Sequence, residues 1–419
     1  MRPVLGAGTG LSPLDDELGL LPGALTPRLQ AGLVRLASWM PFAHAARELG
    51  WLTRAVVSRH VARRLTEAAG AAYVATQTAA VEALERRPTP EPVGPAVLQL
   101  SADGAMISLV GQQWVEVKTL AIGTVVQTPT GEGRARELSY FSRRAEHRAF
   151  RRLALVEAHR RGARTAGTVV AVMDGADWLQ RFIDFHRHDA VRVLDFPHAV
   201  EYLTRASQEA LGVGMAATAD SKAWLARQAR ALKHDGPTPV LAAVRTLPPG
   251  THRDAALASL EPRLPQLQYP TYRAAGYPIG SGIVERANKV VVEDRLKGSG
   301  MHWDPQHVDP LLALRTAVCA DRWDEAWLQI SARLRAADRT RRLQRHQAAV
   351  ARRVAREAAR RAATAPPDAP TPTLQAPAAP APSPPPQPTP KTIVNGRPTK
   401  AHPWNRRYLP HRPASPAEN

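Results

Sequence analysis

Three carboxylates are placed in this 419-residue chain where chemistry would need them. Asp103 follows the strand-like run AVLQLSA, Asp174 follows the apolar run TVVAVM, and Glu285 falls in the first turn of a helix expected from about Ile283. Phosphoryl transfer assisted by two metal ions asks for such a set, because hard oxygen ligands must hold two Mg2+ ions about 3.5–4 Å apart. That chemistry activates a water or a 3′-hydroxyl and stabilises the leaving oxygen. Strand-end carboxylates also serve as caps and turn residues, so spacing alone does not select this role. Asp195 ends another apolar run, Ala190–Leu194, and position alone would admit it as the second carboxylate. It reads equally well as a cap on the next helix, with His198 packed against it.

Positioning these groups requires a particular succession of elements. Ala96–Ala102 reads as a strand, with a second apolar alternation over Ala105–Val110 and one or two further strands over Trp114–Val126. Residues 135–161 read as a long basic helix. Thr168–Met173 is almost wholly apolar, as a strand buried on both faces would be, and a helix carrying Trp178, Phe182 and Phe185 follows it. Residues 199–270 read as helices with no comparable strand. GYPIGSGIVERANKVVVEDRLKGSGMHW (276–303) then opens with a glycine-serine turn and places Asn288 one helical turn after Glu285. A strand meander followed by strand–helix–strand–helix is an α/β layout, and open α/β sheets carry their sites at the carboxyl ends of strands.

The N-terminal region reads as helices. Residues 26–40 have leucines at helical spacing behind Pro27. A short helix around Ala43–Leu49 is expected to break at Gly50-Trp51, with Thr53 capping a second helix that bears Arg54, Arg59, Arg63 and Arg64. This is the outline of a helix-turn-helix whose arginines would contact DNA. A plain helical hairpin with a solvated arginine face is the alternative. Arg286, Asn288, Lys289, Arg295 and Lys297, around the third carboxylate, are placed to meet phosphates, or to form a solvated basic face. Trp303 would stack on DNA or serve as core, and Cys319 reads as a small buried helix residue.

The charge points to a polyanion. Lys and Arg number 56 against 37 Asp and Glu, a formal net charge of +19 at pH 7, which excludes an acidic solvating protein. Residues 333–362 hold eleven arginines against Asp338 and Glu357, almost half the surplus, in an alanine-rich segment that favours helix. Twelve of the 26 residues in 365–390 are proline, an extended linker rather than helix or sheet. The single cysteine excludes a disulfide framework or a cysteine-ligated zinc cluster and suits a reducing compartment. No stretch reads as a membrane span, and Asp15, Asp16 and Glu17 stand where a signal peptide would need an apolar run.

The stretches SADGAMISLVGQQWVEVKTLAIG, VVAVMDGADWLQ, VLDFPHAVEYL, GSGIVERANKVVVEDRLKGSGMHW and LLALRTAVCADRWDEAW, in that order, resemble an insertion-sequence transposase of the bacterial ISKra type. That group lies within the Mutator-like DDE class, which shares an RNase H-like catalytic core. The opening SPLDDELGL and closing HPWNR extend the resemblance over most of the chain. It implies a DDE triad at Asp103, Asp174 and Glu285, so it favours Asp174 over Asp195 as second member. It also implies an accessory Asp/Cys-x-x-His motif, matched by Asp195 and His198. The N-terminal cysteine motifs of some relatives are missing, so no zinc-assisted DNA-binding module is expected.

The resemblance and the residues together give one expectation. The chain would be an α/β protein with an RNase H-like core, an N-terminal helix-turn-helix-like region, a helical insertion and a disordered basic, proline-rich tail. Its divisions would be a DNA-binding region at 1–90, the first part of the core at 95–200, the insertion at 201–275, the last part of the core at 276–332, a basic helix at 333–364 and the tail at 365–419. The expected activity is Mg2+-dependent cleavage and strand transfer at terminal inverted repeats, with two ions and Mn2+ as a substitute. The expected partners are end and target DNA and further copies of the chain on DNA, with no small-molecule cofactor. The expected location is the bacterial cytoplasm, at the nucleoid. The rival readings are an inactive transposase-derived regulator that only binds DNA, and a metal-dependent nuclease that cuts without joining.

Overall fold

A computed structural model of the chain describes residues 20–21, 25–211, 219–298 and 300–364, with the pairs 393–394 and 397–398. The SPLDDELGL stretch up to Gly19, the HPWNR stretch and the proline-rich segment lie outside the described residues. The described part is a mixed α/β structure, mostly helical, built on a five-stranded sheet.

Three helices come first: α1 (Pro27–Trp39), α2 (Phe42–Thr53) and α3 (Arg59–Arg86). Thr26 caps α1 through its hydroxyl, with Pro27 in the first position, where a missing N–H costs nothing. The break expected at Gly50-Trp51 does not occur. Helix α2 runs through Gly50, and Thr53 does not cap the next helix, because its hydroxyl donates back to the Leu49 carbonyl at 2.7 Å. Arg54, in the left-handed conformation at φ 60°, ends α2, and Ser58 caps α3.

The sheet follows, as β1 (Val97–Ser108), β2 (Trp114–Gln127), β3 (Gly133–Arg143), β4 (Thr168–Met173) and β5 (Val191–Leu194), in spatial order β3-β2-β1-β4-β5. β1–β2 and β2–β3 pair antiparallel, whereas β1–β4 and β4–β5 pair parallel. The two apolar alternations read at 96–110 are a single strand, since β2 pairs with β1 through to Ser108. The long helix expected over 135–161 is also corrected. Its first part is β3, and only α4 (His147–Leu153) and α5 (Leu155–Arg160) are helical. Cross-strand pairing with β2 and burial of Ser139 through Arg143 override the helix propensity of the Arg, Ala, Glu and Leu residues.

Helix α6 (Asp177–Arg187) packs on one face of the sheet with Phe150, Phe182 and Leu98. The other face is covered by α7 (Phe196–Leu211), α8 (Ala219–His234), α9 (Pro237–Arg245), α10 (Thr251–Leu260) and α11 (Tyr269–Ala274), a region without a strand among the described residues. Helix α12 (Gly282–Ala287) continues through a π-helical stretch, Asn288–Glu293, and a last turn, Asp294–Leu296. It packs on β1 and β2 through Val284, Ala287 and Val291. Helix α13 (Pro305–Cys319) leads to α14 (Trp323–Thr364), so the basic segment continues a 42-residue helix that begins ten residues earlier. In the region expected as disordered tail, Ile393–Val394 pairs with Arg397–Pro398 around an Asn-Gly sequence, a strong hairpin signal.

The compact unit that holds the sheet reaches to Arg352 and includes the N-terminal helices. Val34, Ala69 and Tyr73 share a buried cluster with Leu314, Trp323 and Ile330. Helices α3 and α13 cross so closely that a Cβ on Gly70 would meet the Pro310 carbonyl oxygen at 2.3 Å. No helix of the described residues is long and apolar enough to cross a membrane.

Alanine normally gains about 1 kcal/mol over glycine inside a helix. At position 70 the clash with backbone wins, and Gly70→Ala is expected to lose about 1–3 kcal/mol by urea unfolding. A more stable variant would contradict the close crossing.

Candidate active site

Strand register sets three aspartates in one row. Leu100 pairs with Ala171, and Met173 with Leu194. Continuing each register by one to three residues sets Asp103, Asp174 and Asp195 at corresponding levels of β1, β4 and β5. Side chains alternate along a strand, so all three point toward the face that carries Val170, Val172 and Val193. β4 pairs with β1 only as far as Leu100, which leaves the β1 edge beside Asp103 open.

Asp103, Asp174, Asp195, His198, Ser281 and Glu285 line one small cleft of about 110 Å3. Asp103 is half-buried. Its Oδ1 accepts the Gly104 N–H at 2.7 Å and its Oδ2 accepts the Asn288 amide at 2.8 Å. Burial holds its carboxyl above the usual aspartate range, the Gly104 N–H opposes that, and the charge of Asp174 adds to it. Asp174 accepts the Ala176 N–H at 2.8 Å. The turn between them needs glycine: Gly175 has φ +89°, and a Cβ there would lie 2.8 Å from Arg263 Nε. Arg263 also donates to the Gly175 carbonyl at 2.8 Å, holding the loop after Asp174. Glu285 is exposed, and its Oε1 accepts the Ser281 hydroxyl at 3.2 Å.

Asp195 is 3 % exposed, and both its oxygens are engaged. Oδ1 accepts the Ser281 N–H at 2.6 Å and Oδ2 the His198 N–H at 3.1 Å. Its own N–H donates to the Met173 carbonyl at 2.7 Å, and the Phe196 N–H donates to Ile279 at 2.9 Å. Burial raises its pKa, and the Ser281 and His198 amides pull it back. Asp195 therefore caps α7 and clamps the loop that starts α12. The His198 ring meets Tyr202 edge to face at 6.3 Å and lines the same cleft.

The residues expected to meet DNA separate into two groups. Arg54, Arg59, Arg63 and Arg64 are all exposed around the α2–α3 connection, with Arg63 3.7 Å from Glu67. Arg286, Lys289 and Lys297 are exposed, the two lysines near Asp294 and Glu293 respectively. Arg295 and Asn288 are not surface contacts. Arg295 is 2 % exposed, its guanidinium 5.1 Å from both the Phe42 and Trp303 rings, and it donates to the Ala37 carbonyl. Burial lowers its pKa to about 10. Trp303, its neighbour, is core. Asn288, 6 % exposed, turns inward to Asp103.

Sequence reading missed three supporting residues. Ser281 sits one turn before Glu285, a legible spacing. Gln99 donates to the Gly280 carbonyl at 3.1 Å, and Arg263 reaches Gly175 across 88 residues of chain, which no local pattern signals.

The donor set bears on whether Mg2+ fits. Among the described residues, no three His, Cys, Asp or Glu side chains are already drawn together around one ion. Mg2+ takes only one or two protein carboxylates and keeps several waters, so Asp103 and Asp174 suffice as donors, with Glu285 alongside. Each bonded carboxylate oxygen retains a second lone pair. The buried Oδ1 of Asn288, on the side chain that holds Asp103, has no partner. These residues suit a hard divalent cation. Among known proteins, no family model and no curated sequence matches the chain.

A carboxyl raised by burial is penalised when ionised, so its folded state is favoured below the unfolded pKa and loses stability as pH rises through the folded one. Asp103→Asn, whose amide can donate to Asn288 Oδ1, is therefore expected to melt higher than wild type at pH 7 in EDTA. The difference should shrink toward pH 4. A variant that melts lower at both pH values would contradict this account of the site.

Proposed function

We propose that this chain is a DDE-type DNA transposase with an RNase H-like core, acting at the terminal inverted repeats of an insertion sequence. The observation that carries the reading is the convergence of Asp103, Asp174 and Glu285 on one cleft of a protein with a formal charge of +19. A mixed five-stranded sheet, with Asp103 within β1 and Asp174 and Asp195 just past the ends of its two parallel strands, supports the reading. Simple DNA binding has no use for carboxylates facing a phosphate.

The reaction needs no covalent enzyme intermediate. Water attacks the phosphorus at the element end, the P–O3′ bond breaks, and a free 3′-hydroxyl and a 5′-phosphate remain. The 3′-hydroxyl then attacks a target phosphodiester and displaces the target's own 3′-oxygen. Two divalent ions, when bound, supply activation of the attacking oxygen and neutralisation of the leaving one. Asp103, Asp174 and Glu285 would hold them. Asn288 fixes Asp103 in one orientation, Ser281 restrains Glu285, and Asp195 keeps the α12 start against the strand ends. The exposed arginines of α2 and α3 contact end DNA, and α14 grips backbone without reading sequence. Two ends must be held together, which calls for more than one copy of the chain on DNA.

The test is cleavage and strand transfer with Mg2+ and DNA carrying the flanking inverted repeats. Losing several kcal/mol of transition-state stabilisation corresponds to roughly 100- to 1000-fold or more in rate. Asp103→Asn, Asp174→Asn and Glu285→Gln are each expected to lose that much, whereas Asp195→Asn, which keeps one acceptor, loses less. Full activity in Asp174→Asn together with none in Asp195→Asn would overturn the triad. Cutting without joining would make the protein a nuclease.

A further inference from the structure

Two open clefts flank the loop that starts α12. One, of about 490 Å3, has Lys233 and Arg273 in its walls, together with Gln99 and Gly280. The other, of about 530 Å3, has Arg136, Arg161 and Arg286. Ala135 lines both, so they meet along β3, the edge strand of the sheet. The groove adjoins the carboxylate cleft at two points: Gly280 faces the groove and Ser281 the cleft, and Arg286 faces the groove and Glu285 the cleft.

The charge in this groove is largely uncompensated. Among the described residues, none of Arg136, Arg161, Arg286, Lys233 and Arg273 has a carboxylate oxygen within 4.0 Å. The acids in the walls are Glu132, 3.9 Å from Arg134, Glu137, which accepts the Thr124 hydroxyl, and Asp321, three against the five cations without an acidic partner. Arg161 donates to Thr124 and Arg273 contacts His234, neither of them acidic. A row of such cations beside an acidic cleft suits a strand of phosphates that presents one of them to the carboxylates. The walls offer no exposed aromatic platform, since Tyr140 is 4 % exposed and Tyr277 half-buried. Single strands are typically held by stacking bases on such platforms, whereas duplex backbone needs none.

We propose that the groove along β3, from Lys233 and Arg273 through Arg136 to Arg286, is the track for the duplex DNA that flanks the scissile phosphate, held through its backbone without base readout. This extends the reading of the carboxylates as a DNA-cleaving site and assigns the DNA a path that the α2–α3 arginines do not provide.

The test measures binding, so it stands apart from cleavage. The full chain in the Asp174→Asn background, without divalent ion, is titrated with a fluorescein-labelled duplex of random sequence across a salt series. The triple variant Arg136→Ala, Lys233→Ala and Arg286→Ala, all in positions outside ion pairs, is expected to flatten the slope of log K against log salt by about 2–3, near 0.9 for each phosphate that a removed cation had neutralised. Its thermal unfolding should match the parent. An unchanged slope would overturn the groove. So would an equal flattening in the control Arg148→Ala with Arg181→Ala, or a weakening seen for single strands only. A flattened slope in a protein that never cleaves DNA would retain the groove and remove the transposase reading. Cleavage with an unchanged slope would do the reverse.

Discussion

Asp195 accepts the Ser281 N–H across 86 residues of chain while capping α7 through the His198 N–H. Its own N–H reaches the last carbonyl of β4. The end of β4, the start of α7 and the start of α12 thus meet at one buried carboxylate. A hydrogen bond to a charged group contributes about 1.5–3 kcal/mol, and removing the acceptor leaves buried amides unpaired. The ends of β4 and β5 are fixed by sheet register alone, but Glu285 arrives on a helix from a distant part of the chain. The Asp195 clasp adds to the Asn288–Asp103 and Gln99–Gly280 hydrogen bonds and to the packing of Val284 and Ala287, which together set the distance of Glu285 from Asp103 and Asp174.

The clasp also explains why Asp195 resembles a catalytic group in sequence. It lies level with Asp174 and shares its cleft, but both its oxygens are committed to backbone donors. Asp174 is bonded within its own loop, and Glu285 to a hydroxyl on its own helix start. Asp103 is bonded through both oxygens as well, but it is only half-buried, so what sets Asp195 apart is its burial beneath the two backbone donors it clasps. Burial raises the pKa values of Asp103 and Asp195, and the neighbouring charges of Asp174 and Glu285 add to it. A cation offsets both effects, and a phosphate backbone held on the surrounding basic surface would need one to approach the cleft.

The ends of β4 and β5 were legible because short apolar runs terminated by Asp leave few alternatives, whereas β1 runs on past Asp103 to Ser108. The α/β alternation, the helical region after β5 and the Glu285 helix were legible for the same reason. The misread parts have physical causes. Residues 133–143 carry helix-favouring side chains and become a strand because β2 offers an edge to pair with. Arg295 looks like a phosphate contact in sequence, yet its guanidinium stacks between two aromatic rings and its neighbours bury it. Asn288 was visible at the right spacing, but its inward turn onto Asp103, at the residue where a π-helical stretch begins, was not. Such widened turns often mark functional sites and leave no simple signature in sequence.

The central claim is that residues from β1, the β4 end and α12 bind one set of divalent ions. Iron-mediated backbone cleavage tests it most directly: Fe2+ occupies Mg2+ sites, and with ascorbate and peroxide it cuts the chain beside its ligands. The account predicts cuts near residues 103, 174 and 285 together, suppressed by excess Mg2+ and lost in Asp103→Asn. Cuts confined to other segments, or cuts at these three that Mg2+ does not suppress, would contradict it.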